Sequence, residues 1–295
     1  MKKINLLKTL FLLISTVALF TACDEKPTET PSEEPSTSTK KISAIYDLDD
    51  NNALLAKYIW NGNKLTKIEN YENGFLDYTE TFTYNGSLLT QYDCEDETVT
   101  FSYENNLLSK IVYTYSGSNE WEEYTVAERN GNMITRFDIK VYSDYSKRKT
   151  EKRQIFKPLQ NREAFFAKLA GRNTKETEID ELSLEFTYSG NNIVTETWTE
   201  YDNEYGDYAY RYINTYDNKT NPFKNIFMSV VDAEYWSVNN CLTITEENGW
   251  DSEYPASSLY ATNSYEYNGD LPVKATITYP WDGGIDVYRM LYEYK

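Results

Sequence analysis

The sequence predicts an all-β protein, an antiparallel up-and-down meander of Tyr-rich hairpins rolled into a barrel or half-barrel, with one or two short helices. Three observations predict it. A short pattern of aromatic, spacer, aromatic, Asn-Gly or a relative, then Leu or Ile recurs along the chain. The runs flanking each copy alternate with period two. Tyrosine is abundant, 28 of 295 residues, and the aromatic side chains gather on one face of the alternation.

The copies are Tyr58-Ile59-Trp60-Asn61-Gly62 with Leu65 and Ile68, Phe82-Thr83-Tyr84-Asn85-Gly86 with Leu88, and Phe101-Ser102-Tyr103-Glu104-Asn105-Asn106 with Leu108 and Ile111. Looser ones are Asn130-Gly131 with Ile134, Phe186-Thr187-Tyr188-Ser189-Gly190 with Ile193, and Tyr265-Glu266-Tyr267-Asn268-Gly269 with Leu271. Asn-Gly tolerates positive φ at both central positions of a type I′ turn, whose twist matches two antiparallel strands, so each copy is expected to be a hairpin tip. Tyr78, Phe82 and Tyr84 share one face while Thr79, Thr81 and Thr83 take the other. Val99, Phe101 and Tyr103, and then Leu182, Leu184, Phe186 and Tyr188, repeat the arrangement. One face is thus aromatic and buried, the other polar and wet, which marks an antiparallel sheet. Spacings between tips suit hairpins of 7 to 10 residues per strand, so about sixteen strands fit. An open sheet of that size exposes edges, and rolling it up removes them.

Two segments break the pattern. Asn161 to Gly171 reads as a helix, with Asn161 as N-cap, Phe165, Phe166 and Leu169 on one stripe and Gly171 as the stop. Asn221-Pro222-Phe223-Lys224-Asn225-Ile226-Phe227 reads as one helical turn entered through proline. Each fits either a plug in one end of the rolled sheet or a connection packed outside it.

The N-terminus carries Lys2, Lys3 and Lys8, an apolar run from Leu10 to Phe20, then Thr21-Ala22-Cys23. That is the layout of a secretory signal, and the run falls short of the roughly 20 residues a bilayer takes. Phe20-Thr21-Ala22-Cys23 resembles the lipobox of bacterial lipoproteins, with Phe where Leu usually stands. The resemblance implies removal of residues 1–22, acylation of Cys23 and membrane anchoring through it, since each buried methylene adds about 0.8 kcal/mol. Residues 23–41 continue as a Pro-, Ser-, Thr- and Glu-rich tether without aromatics, which cannot bury enough surface to order itself. Residues 42–295 form the barrel domain. Asp24-Glu25 resembles the acidic export signal of surface lipoproteins in bacteroidete-type bacteria, and equally suits a solvated linker.

With 47 acidic against 29 basic residues the chain carries −18, and such a field repels nucleic acid. The absence of histidine excludes Ser-His and Cys-His dyads and His-rich metal or haem sites. Cys94 and Cys241 are compatible with a disulfide or with two thiols.

The Tyr-Asn-Gly tips, together with Tyr216-Asp217-Asn218-Lys219-Thr220-Asn221-Pro222-Phe223, resemble a family of bacteroidete lipoproteins of unknown function with a porin-like fold. Some members of that family are described as lipid-binding proteins. The resemblance covers residues 42–295 and implies the barrel fold and an apolar ligand, but supplies no catalytic residues. The tips also resemble tyrosine-rich repeats of cell-wall and toxin proteins.

Candidate sites follow. An apolar interior would be lined by Tyr84, Phe101, Tyr103, Phe186 and Tyr188. Trp250-Asp251 and Trp281-Asp282, beside glycines, fit either stacking on a sugar ring or capping the core. Lys147, Arg148, Lys149, Lys152 and Arg153 fit either an anion site for lipid phosphates or glycans or the blunting of an edge strand. Asp47, Asp49, Asp50 and Asn51 have the alternate spacing of calcium loops but lack the glycine and distal glutamate, and a solvated turn explains them better. No carboxylate pair for glycoside hydrolysis is identifiable. A membrane-spanning barrel is disfavoured by aromatics spread along the strands rather than in girdles and by a lipid anchor such a barrel would not need. The sequence therefore predicts a monomeric envelope protein, anchored to the outer membrane and facing periplasm or surface. It would bind a lipid or other apolar molecule, or a glycan, and be neither an enzyme nor dependent on a metal or cofactor.

Overall fold

The computed structural model describes residues 40–143, 178–201, 207–224, 226, 233–250, 256–281 and 284–295. The strands are β1 (Ile42–Asp47), β2 (Ala53–Asn61), β3 (Lys64–Glu72), β4 (Phe75–Asn85), β5 (Leu88–Cys94), β6 (Glu97–Glu104), β7 (Leu107–Tyr115) and β8 (Trp121–Asn130). They continue as β9 (Met133–Ser143), β10 (Glu178–Ser189), β11 (Asn192–Glu200), β12 (Tyr208–Thr220), β13 (Asn239–Trp250), β14 (Ala256–Asn268), β15 (Leu271–Trp281) and β16 (Gly284–Tyr294). A single helical turn, α1 (Ala233–Trp236), lies between β12 and β13. Every strand pairs with its sequence neighbours, and β1 pairs with β16, so the meander closes into a sixteen-stranded antiparallel barrel. The expectation of a rolled Tyr-rich meander holds, and closure is complete rather than partial.

The chain enters and leaves at one rim, where Lys41 and Lys295 exchange backbone hydrogen bonds of 3.0 Å. Because strands alternate in direction, all six Asn-Gly-type tips identified in the sequence stand at this terminal rim. The turns differ from the expected type. Asn61 pairs with Lys64 and Asn85 with Leu88, so the central residues are Gly62-Asn63 and Gly86-Ser87. Glycine takes the first central position, with φ of 56° and 60°, as in a type II′ turn, and asparagine closes the strand. The type I′ pattern appears instead at Asn105-Asn106, and at Asn73-Gly74 on the opposite rim, where both residues have positive φ.

Each tip is followed by a bulge that accounts for the Leu-x-x-Ile spacing. Pairing skips Thr66 between Trp60–Leu65 and Ile59–Lys67, and skips Thr90 between Tyr84–Leu89 and Thr83–Gln91. The extra residue puts Leu65 and Ile68, three apart, on the same inward face. The skipped threonines are not idle: Thr66 Oγ1 donates to the Ile59 carbonyl at 2.9 Å and Thr90 Oγ1 to that of Thr83 at 3.2 Å.

Tyrosine rather than phenylalanine recurs near the tips because its hydroxyl joins one hairpin to the next. Tyr103 on β6 donates to the carbonyl of Leu89 on β5 at 2.8 Å, and Tyr188 on β10 to that of Ile134 on β9 at 2.8 Å. Tyr216 reaches Ile193 at 2.6 Å, Tyr265 reaches Cys241 at 3.0 Å and Tyr294 reaches Pro272 at 2.6 Å. On β2 the donor is Trp60 Nε1, to Ile42 at 2.9 Å, and on β8 it is Arg129, to Leu108.

The aromatic face points inward and the charged face outward. Tyr92, Ile111, Tyr124, Phe137, Trp198 and Tyr212 retain no exposure (0%), so the interior along β5–β12 is packed rather than water-filled. Outward positions carry ion pairs such as Lys110–Glu123 at 3.0 Å, Arg136–Glu128 at 2.8 Å and Arg211–Glu247. These contribute little stability but make the outer wall the reverse of a lipid-facing belt. Cys94 on β5 and Cys241 on β13 are two separate thiols.

Candidate functional site: a plugged barrel with a tyrosine wall and buried carboxylates

The β12–β13 connection turns inward and closes the terminal rim. Asn221 Oδ1 accepts from the Phe223 amide at 2.8 Å and its Nδ2 donates to the Ser237 carbonyl at 3.0 Å, tying both ends of the connection together. The expected helical turn at 221–227 is a hydrogen-bonded turn over its described residues, with the Ile226 amide donating to Phe223 at 2.9 Å. The helical turn itself comes later, as α1. Phe223 packs on Tyr292 of β16 at 5.6 Å and on Tyr235 of α1 at 6.4 Å. Trp236 packs on Phe137 of β9 and Phe186 of β10 at 6.4 and 6.2 Å. The connection therefore crosses the lumen from β16 to β9 and β10. Of the two segments expected to fit a plug, this one serves as it, and residues 161–171 lie outside the described residues.

Deeper in, acids interrupt the aromatic stripe. Glu80, between Tyr78 and Phe82 on β4, accepts from Asn70 Nδ2 at 2.8 Å and from Tyr92 Oη at 3.1 Å. Glu122 accepts from Tyr124 at 2.9 Å and from Tyr115. Burial and the neighbouring Glu80 push the Tyr92 phenol well above its ordinary range. Glu196, Tyr212 and Glu246 form a row across β11, β12 and β13, each directly paired with the next, and all three are buried. Burial, then Glu246, raises the Tyr212 phenol. Sequence reasoning passed over these acids, although each stands at an inward position of a period-two stripe, Tyr78-x-Glu80-x-Phe82 and Glu196-x-Trp198 being the legible cases.

From Tyr212 a line of edge-packed rings runs toward the opposite rim. Tyr212 meets Tyr260 at 5.8 Å, Tyr260 meets Tyr279 at 6.0 Å and Tyr279 meets Tyr288 at 5.9 Å. Tyr212 is buried, whereas Tyr260, Tyr279 and Tyr288 keep partial exposure. The wall thus grades from wet to dry along β14–β16 and ends at the Glu196–Tyr212–Glu246 row. Large apolar side chains are also exposed on this rim at Phe75, Leu76, Ile285 and Val287.

The five residues predicted to line the interior belong to the terminal half. Phe101 and Phe186 are buried, while Tyr84, Tyr103 and Tyr188 are half-buried beside the tips. Phe186 packs against the plug through Trp236. Trp250 and Trp281 end β13 and β15, which places their backbones at the opposite rim, two strands apart. Asp251, Asp282, Cys23 and the basic run Lys147, Arg148, Lys149, Lys152 and Arg153 lie outside the described residues. Asp49, of the calcium-like spacing, pairs with Arg289 at 2.7 Å, and Asp47 accepts from the Asp49 amide.

No family model and no curated protein matches the chain. Among solved structures, a crystal structure of a porin-like protein from Bacteroides vulgatus is 9% identical with a TM-score of 0.49, covering 87% of this chain and 99% of that one. A porin-like protein from Bacteroides uniformis is 11% identical with a TM-score of 0.44, covering 86% and 96%.

Proposed function

We propose that the protein is a lipid-anchored binding protein of the bacterial cell envelope, held on the outer membrane through Cys23, whose barrel carries an apolar or amphiphilic ligand. The observation that supports this reading is the asymmetry of the interior. The terminal half is plugged and packed, while the other half offers a partly exposed tyrosine wall, Tyr288, Tyr279 and Tyr260, leading inward to a buried polar end at Tyr212. Aromatic walls with a few convergent polar groups are the usual make-up of small-molecule sites. A tether would join the barrel at Lys40–Ile42, on the plugged rim, at the end of the barrel away from the tyrosine wall.

Native mass spectrometry of the full chain purified from its envelope, with organic extraction, tests the reading. One apolar molecule per chain supports it; a bare mass overturns it.

A second reading, glycan capture, is favoured by the placement of Trp250 and Trp281 at the same rim. Replacing both with Ala should abolish retention on a polysaccharide column while the far-ultraviolet dichroism is unchanged, and undiminished retention eliminates this reading.

A further inference from the structure

The two rims of the barrel differ in what they show to the outside. Among the described residues, the large hydrophobic side chains left exposed are Phe75, Leu76, Tyr201, Leu259, Ile285 and Val287, together with Leu107. Leu107 opens β7 beside a tip of the terminal rim, whereas the other six belong to the ends of β4, β11, β14 and β16 at the opposite rim. Phe75 and Ile285 are 78% and 65% exposed, which is high for side chains that lose free energy in water.

An aromatic pair joins them. Trp121 opens β8 at the same rim and pairs directly with Tyr142 of β9. Glu122, Tyr124, Ile139 and Val141 are buried inside, so by strand alternation these two rings face outward, 6.1 Å apart and 12° from parallel. Ile285 and Val287 likewise face out, since Met290 and Tyr292 of β16 are buried. Below this level the outer wall turns ionic, as at Lys110–Glu123 and Arg136–Glu128. Exposed aliphatic chains beside outward Trp and Tyr, confined to one end, are the make-up of a surface that settles at a membrane–water boundary.

The charges at this rim say which membrane. Asp50, Glu72, Asp77 and Asp286 are exposed between the apolar residues, while Arg289 is paired with Asp49 at 2.7 Å. An acidic rim is repelled by anionic lipid but tolerates zwitterionic headgroups, whose ammonium groups lie outermost. We propose that this rim docks on a lipid bilayer of low net charge, with Phe75, Leu76, Ile285 and Val287 entering the headgroup boundary. Residues 23–39 can span about 55 Å when extended, more than the roughly 36 Å rise of the eleven-residue β16, so an anchor at Cys23 would let the far rim meet the membrane that holds it. The docking stands on the placement of these side chains. Its purpose, to bring the exposed end of the tyrosine wall at Tyr279 and Tyr288 against the phase that dissolves an apolar ligand, rests on the ligand-binding reading above.

The test places the full chain on phosphatidylcholine vesicles and compares tryptophan emission with ordinary and with dibrominated acyl chains, bromine quenching only rings that reach the boundary. All six tryptophans follow residue 59, so neither a leader nor an anchor contributes to the signal. Quenching of roughly a fifth or more of the emission, abolished in the triple variant Phe75→Asp, Ile285→Asp, Val287→Asp and kept in Leu107→Asp, supports the proposal. The substituted residues are exposed, so the variants should melt with the parent, and Leu107→Asp controls for added charge. Quenching should fall when a third of the lipid is phosphatidylglycerol and return with salt; quenching that rises on those vesicles overturns the neutral partner. An unquenched parent, or a triple variant quenched as the parent is, overturns the docking. Organic extraction of the chain from its envelope reports on the ligand separately, so a barrel that carries an apolar molecule yet is not quenched loses the docking rim and keeps the ligand.

Discussion

Tyr103 Oη donates a 2.8 Å hydrogen bond to the carbonyl of Leu89, joining the first strand of one tip hairpin to the second strand of the hairpin before it. Tyr188 makes the equivalent bond to Ile134 on the other side of the barrel. A half-buried neutral hydrogen bond is worth about 1 kcal/mol net. Tyr103→Phe and Tyr188→Phe should therefore each lower the unfolding free energy by about that amount in urea titrations, with the denaturant slope unchanged. Because the two sites share no partner, the double variant should lose the sum. Parental midpoints for all three would show that the hydroxyls do not hold the hairpins together.

Gly86 has a φ of 60° at the first central position of its turn, and a Cβ built there meets nothing within 4 Å. The requirement is conformational, not one of space. Gly86→Ala should cost about 1 kcal/mol or slightly more, measured as a lower thermal midpoint, and Gly86→Asn less, since asparagine tolerates that region better. A neutral Gly86→Ala would mean that the turn changes type at no cost.

Glu80 accepts from both Asn70 and Tyr92 inside the barrel. Glu80→Leu strands the buried Tyr92 hydroxyl and the half-buried Asn70 amide, so it should destabilise by about 2–4 kcal/mol in chemical denaturation. Glu80→Gln, which keeps an acceptor oxygen, should cost less. Equal losses for the two would place the penalty in packing rather than in the hydrogen bonds.

Phe223 is 2% exposed and is wedged between Tyr292 and Tyr235. Phe223→Ala should cost about 3–5 kcal/mol by the usual loss for a buried ring. It should also speed proteolysis within the β12–β13 connection. Stability within 1 kcal/mol of the parent would show that the connection does not close the rim.

Alkali should unfold the protein abruptly. Burial raises the phenols of Tyr78, Tyr92, Tyr188, Tyr212 and Tyr294 in the folded state, with carboxylates adding to the first four. In the unfolded chain they titrate near pH 10. A folded value raised above the unfolded one means their contribution is full below about pH 10 and is lost as pH climbs through the folded values. Tyrosinate absorbance at 295 nm should therefore lag for these residues and then rise together with the loss of circular dichroism. A smooth titration of all 28 tyrosines near pH 10, with dichroism intact, would contradict the buried hydroxyl layer.

The sequence by itself determined the fold class, the approximate number of strands and the position of the hairpin tips. These follow from local rules: period-two alternation decides which side chains share a face, and glycine in positive φ decides where the chain reverses. Only the tertiary structure decided that Ile42 pairs with Tyr294, closing the sheet, because that pairing joins the two ends of the domain and leaves no local trace. It also decided the turn register. Asn-Gly fits type I′ on local grounds, but the bulges at Thr66 and Thr90 shift the pairing so that glycine opens the turn and asparagine ends the strand. The candidate site was the least legible part. Tyr84, Phe101 and Tyr103 read as inward because they repeat, and they do pack in or against the core, with the Tyr103 hydroxyl also joining its hairpin to the one before it. Glu196, Tyr212 and Glu246 come from three strands, and none carries a motif. Their alignment exists only because the register of β11, β12 and β13 sets them side by side in a place water does not reach.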